Sequence, residues 1–164
     1  MTSMRLLDYG MSSYMRRLLP KGDPNMREGK IDKLDRVMNE LISEGQDFTS
    51  CVVTNERGLV VAGDSAEGFS SQVLAAMISL MSDTAIRVSE NLGYGHPKTS
   101  VIKGFGASIS IQEFVVRDRW FRIGAISSEN IVGGRRFFRK RNKTERAEAK
   151  LSTAAKKLRS ILED

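Results

Sequence analysis

Few side chains in this sequence can make or break bonds, and they lie far apart. His96 is the chain's only histidine and Cys51 its only cysteine. One of each is too few for a zinc site of the usual nitrogen and sulfur ligands. A Cys–His dyad would require the two to meet. Cys51 sits in the run Ser50-Cys51-Val52-Val53, which reads as a strand interior, where a buried structural thiol is expected. Glu113, Asp118 and Glu129 are scattered around a stretch of short strands. The expectation for all three is solvated carboxylates rather than a catalytic pair. Gly104-Phe105-Gly106 begins like a dinucleotide fingerprint, but Ile109 stands where its third glycine would be and no helix follows. There is no Gly-x-x-x-x-Gly-Lys-Ser/Thr phosphate loop. Trp120 alternates with Arg122, but no second aromatic joins that face to form a base-stacking platform. These residues call for no catalytic centre, no metal, no cofactor and no small-molecule substrate.

The conspicuous charged feature is Arg135-Arg136-Phe137-Phe138-Arg139-Lys140-Arg141. Arg135, Arg136, Arg139, Lys140 and Arg141 are the candidate contacts to an anionic partner, whether lipid, nucleic acid or an acidic protein surface. The alternative is that the two phenylalanines dock the segment and its charges stay solvated. The net charge of +6 belongs to this region alone. Residues 131–164 carry 11 Lys/Arg against 4 Asp/Glu, leaving 15 against 16 in the remainder. That distribution argues against a domain whose main face holds nucleic acid, and leaves a basic tail.

Composition places the chain among globular proteins, with 40% hydrophobic and 28% charged residues. The lone cysteine and the absence of a continuous apolar leader give the expectation of a reducing, cytoplasmic setting.

The elements follow from periodicity. Residues 1–29 read as an N-terminal extension, flexible or a short amphipathic helix. Met4, Leu7, Met11, Met15 and Leu18 recur at helical spacing, and Pro20, Gly22 and Pro24 end any helix there. Residues 30–44 read as a helix with Ile31, Leu34, Val37, Met38, Leu41 and Ile42 on one stripe. A hairpin follows, with strands at 48–54 and 59–62 joined by Asn55-Glu56-Arg57-Gly58, and Gly63-Asp64-Ser65 ending it. Residues 69–92 form the longest expected helix, with Ser70 or Ser71 as its cap. It carries two apolar stripes: Phe69, Val73, Met77, Leu80, Val88 and Leu92, then Leu74, Ile78, Met81 and Ala85. A helix apolar on two sides is covered on two sides. The sheet supplies one cover, and an identical subunit is the commonest source of the other. Strands at 99–103, 107–116 and 120–126 make an antiparallel meander, and a helix from Thr144 to about Leu162 closes the chain. The order helix-strand-strand-helix-strand-strand-strand-helix is α+β, with one five-stranded antiparallel sheet and helices on its faces. Residues 30–130 are expected to form the domain. The basic loop and helix of 131–164 are expected to be separable from it.

This order resembles the roadblock (dynein light chain) family. The resemblance rests on the small-residue strand Thr49-Ser50-Cys51-Val52-Val53-Thr54, the charged turn closing on Gly58, the strand ending Ala62-Gly63-Asp64-Ser65, and the long Ala/Met/Leu-rich helix after it. It covers about residues 30–128. The resemblance implies a homodimer whose two sheets join edge to edge with the long helices paired on one face. It also implies a non-catalytic adaptor or regulator of a small Ras-like GTPase, as a platform or as part of an activating or exchange complex. The expected dimer contacts are Met77, Leu80 and Met81 on the long helix and Thr99 and Val101 on the short strand. The alternative is a basic-tailed dimer binding nucleic acid or an anionic membrane surface.

Overall fold

A computed structural model describes residues 24–43, 47–65, 70–104, 106–128 and 140–164. Its elements are α1 (Pro24–Ser43), β1 (Ser50–Asn55), β2 (Val60–Ser65), α2 (Ser71–Asn91), β3 (Thr99–Lys103), β4 (Ala107–Val116), β5 (Arg119–Ser128) and α3 (Lys140–Glu163). The five strands form one antiparallel sheet in the order β2-β1-β5-β4-β3, with β2 and β3 at its edges. The expected fold class and element order are both present.

α1 and α3 cover one face of the sheet and α2 the other. On the first face Leu34, Val37, Met38 and Leu41 of α1 and Ala147, Leu151, Ala154, Ala155 and Leu158 of α3 pack over Cys51, Val53, Phe114, Phe121, Ile123 and Ala125. On the second, Leu74, Ala75 and Ile78 of α2 pack over Val52 and Ile111. Gly124 lies beneath Ile78, and any Cβ there would overlap that side chain. The missing side chain is what lets α2 settle onto β5.

The three largest boundary differences from the sequence reading each have a physical reason. α1 begins at Pro24, because a proline at the first helical position removes no hydrogen bond and pre-sets φ. β2 continues through Gly63, Asp64 and Ser65, which pair with Val52, Cys51 and Ser50. The Ser50 and Ser65 hydroxyls meet at 2.7 Å across that end. α3 begins at Lys140, so Thr144 lies inside the helix instead of capping it. Lysine and arginine are good helix formers and extend the first turns.

The C-terminal helix, which the sequence reads as separable, packs into the core of the domain. Leu151 and Leu158 are fully buried in the main core. α3 also covers the serine side of β4. Ser108 and Ser110 are buried there, and the Ser108 and Ser127 hydroxyls meet at 2.6 Å. The apolar–serine alternation of β4 therefore marks two covered faces.

The turns behave as their residues dictate. Gly58 closes the first hairpin at φ 74°. Arg117 and Asp118 close the β4–β5 hairpin at φ 47° and 65°, the two-residue turn whose twist matches the strands. Cys51 is a structural thiol, as expected. Its Sγ faces the Met38 carbonyl oxygen at 3.8 Å. Burial, with the Asp64 charge adding to it, pushes its pKa up to about 12.

Candidate interaction surface

α2 brings its two stripes to different fates. Leu74 and Ile78 are buried against the sheet, and Met81 is partly buried beside them. The stripe through Val73, Met77, Leu80, Val88 and Leu92 faces outward, with Met77 47% and Leu80 71% exposed. At the C-terminal half of the helix this stripe forms one wall of an open, mainly apolar groove of about 560 Å³ whose other wall is Ile102 on β3.

β3 is an edge strand whose recorded strand partner is β4. Ser100 and Ile102 pair with Ile111 and Ile109, so they lie on the α2 face. Thr99 and Val101 pair with Gln112 and Ser110 and lie on the opposite face. Of the five residues expected at a dimer contact, Met77, Leu80 and Met81 therefore share one flank. Thr99 and Val101 contribute to the strand's backbone edge, not to that flank. Ile102, 49% exposed, is the β3 side chain that joins the flank, and the sequence reading missed it. Its pairing with an apolar β4 residue was the available signal.

A charged cluster sits on the same face. Glu113 was expected to be solvated, but it is buried among α2, β5 and the α2–β3 loop. Its Oε1 accepts a hydrogen bond from Ser82 on α2 and lies 3.3 Å from Arg122 Nε on β5. Its Oε2 lies 2.5 Å from His96 Nε2. Arg122 Nη2 donates to Asp83 Oδ1 at 2.6 Å. The His96 ring lies on Trp120, centroid to centroid 4.1 Å. Arg122 Nη1, Thr54 Oγ1 and Ser79 Oγ are buried with no hydrogen-bond partner. The hairpin turn at 117–118 already sets Glu113 opposite Arg122. Register counting from that turn was the signal for the pair.

The arrangement does not make a nucleophile. Ser82 and His96 both address the same carboxylate, so the imidazole is not placed to take the serine's proton, as a triad requires. Cys51 belongs to the core on the other face of the sheet, away from His96. Among the described residues no group of three or more His, Cys, Asp and Glu is placed to hold a metal ion, and no helix is long and apolar enough to cross a membrane. Arg135, Arg136 and Arg139, with the N-terminal stretch 1–23, lie outside the described residues. Lys140 and Arg141 enter only as the backbone of the first turn of α3.

No protein-family model matches the sequence, and comparison with curated proteins finds no match. Solved structures do match. Myxococcus xanthus MglB is 12% identical, with a TM-score of 0.63 over 88% of this chain and 95% of that one. The gliding protein MglB of Thermus thermophilus is 13% identical, with a TM-score of 0.63 over 82% and 91%. A Roadblock/LC7 domain from Streptomyces avermitilis is 14% identical, with a TM-score of 0.63 over 79% and 98%. At such identities the likeness is one of architecture, and it agrees with the element order and sheet described above: this chain has the roadblock fold.

Proposed function

We propose that this chain is a non-catalytic, homodimeric adaptor that regulates a small Ras-like GTPase in the cytoplasm. The observation that carries the dimer is the uncovered α2 stripe running into the groove beside Ile102, next to an edge strand. A second copy placed about a two-fold axis presents the same stripe and the same edge, so each apolar surface meets its own kind. Pairing of the two β3 edges would satisfy their outward N–H and C=O groups and extend the sheet. The choice of a GTPase as partner comes from the roadblock resemblance of the sequence and from the fold it shares with roadblock domains. In this reading the residues that precede α1 and the basic residues about the start of α3 choose the partner, and the basic side chains meet an acidic surface.

A regulator of this kind must touch the switch segments that the γ-phosphate orders, so it distinguishes the two nucleotide states. The expected result is a Ras-like GTPase of the same cell that binds the full chain with affinities differing by about 5- to 150-fold between its GDP form and its form with a non-hydrolysable GTP analogue. Calorimetry and single-turnover hydrolysis measure it. If no GTPase binds in either state and no hydrolysis rate changes, the reading fails. Binding of DNA, RNA or anionic vesicles that is lost on neutralising Arg135 to Arg141 would then favour the basic segment as the working surface.

A further inference from the structure

The two helices on the other side of the sheet from α2 leave a groove between them, with a volume of about 350 Å³. α1 supplies Val37, Glu40 and Leu41 to it. α3 supplies Arg146, Ala149, Lys150, Thr153 and Lys157, a single stripe at spacings of three and four. Long basic side chains are interspersed there with small ones. At 1.5 Å of rise per residue, the stripe from Arg146 to Lys157 is about 16 Å long.

Three cations and one carboxylate, Glu40, line this groove. Two acids hold the cations in place. Lys157 Nζ lies 2.7 Å from Glu40 Oε2. The nearly buried Asp47 has its Oδ2 2.6 Å from Lys150 Nζ and 3.6 Å from Arg146 Nε. Arg146 and Lys150 stand four residues apart, a spacing at which like charges weaken a helix. A single carboxylate faces both. The Arg146 and Lys157 side chains remain more than half exposed. Val37 and Leu41 give the groove an apolar wall beside these charges.

We propose that the α1–α3 groove receives an acidic, amphipathic helix of a partner protein. Ala149 and Thr153 are small enough to let a second helix settle between the basic side chains, ridge into groove. About three turns of it span the stripe. Its carboxylates meet Arg146 and Lys157, and its apolar residues cover Val37 and Leu41. A nucleic acid fits less well, because the groove has no aromatic lining on which bases stack and Glu40 would face the phosphates. The site depends neither on the dimer nor on the GTPase, since it lies on the other side of the sheet from the α2 stripe.

The probe is a fluorescein-labelled helical peptide of about twelve residues, three turns, with glutamates on one face and leucines beside them. Its anisotropy is followed as the full chain is added. The expected result is saturable binding that weakens as salt rises. Arg146→Glu with Lys157→Glu should weaken it about tenfold or more, because two attractions become repulsions. Lys150 is left in place so that Asp47 keeps its close partner, and circular dichroism checks that the variant is folded. Arg57→Glu with Arg119→Glu makes the same charge change at two exposed turn positions away from the groove and should leave binding unchanged. No saturable binding to the unaltered chain, or an equal loss in the Arg57 and Arg119 variant, would overturn the groove. Tighter binding of a single-stranded oligonucleotide or of anionic vesicles through Arg146 and Lys157 would overturn the acidic helix as its occupant. Peptide binding by a chain that engages no GTPase would end the GTPase reading and leave the groove standing. A chain that engages a GTPase but not the peptide would overturn the groove alone.

Discussion

A chain ending at residue 134 is expected to lose cooperative unfolding altogether. The sequence reads 131–164 as a basic loop and helix appended to a finished domain, but α3 places Leu151 and Leu158 in the main core with no exposed surface. Ala147, Ala154 and Ala155 fill the space between them, and Ile161 and Leu162 pack at the margin. Loss of one such leucine side chain costs about 2–5 kcal/mol. Two together approach the whole stability of an ordinary domain, about 5–15 kcal/mol. The deletion would also bare Phe114, Val116 and the paired serines of β4 and β5, which α3 covers. Urea unfolding followed by far-ultraviolet circular dichroism measures it: a single steep transition in the full chain, and a sloping, midpoint-free curve in the truncated one. Leu158→Ala supplies a graded version, lowering the midpoint at unchanged slope.

The second large effect is expected at Glu113. Glu113→Ala leaves Arg122, nine-tenths buried, without one of its two carboxylates, and leaves Ser82 without its acceptor. Breaking a buried ion pair by removing one partner costs about 3–5 kcal/mol, because the remaining charge stays desolvated. Asp83 retains its bond to Arg122 Nη2 but is itself half exposed, so it offsets only part of that loss. Replacing both members of the pair, Glu113→Leu with Arg122→Met, should recover most of the stability, since the face they occupy also holds Ile111 and Ile126. Equilibrium unfolding of the two single variants and the double variant gives the coupling directly. Additive losses would show that the pair does not act as a unit.

Parts of this architecture are legible from residue order alone. The bounds of β3 and β4 follow from alternation ended by Gly93-Tyr94-Gly95-His96-Pro97, Gly104 and Arg117-Asp118. The two stripes of α2 are visible at helical spacing, and the structure divides them between the sheet and the outside as two-sided amphipathicity requires. Other parts depend on what lies across space. Pro24 reads equally as a stop or as a first helical residue, and only the helix that follows decides. Gly63-Asp64-Ser65 looks like a strand terminator until β1 pairs with it. Ser108 and Ser110 look like a solvated face because the helix that covers them comes about 30 residues later. Glu113 looks like a surface charge because its partners are drawn from α2, β5 and a loop. Periodicity within one element carries no information about partners assembled from three others.

The α2 stripe is the part of the molecule on which the account depends most. Leu80 is 71% exposed, so a charge there disturbs little packing within the chain. The most direct measurement is the solution mass of the unaltered protein and of Leu80→Glu, by light scattering at tens of micromolar, a concentration chosen to suit an interface of about 1,200–2,000 Å². The account predicts twice the 18.3 kDa chain mass for the unaltered protein and a single chain mass for a still-folded Leu80→Glu variant. A single chain mass for the unaltered protein, or a dimer that the substitution leaves intact, would contradict it.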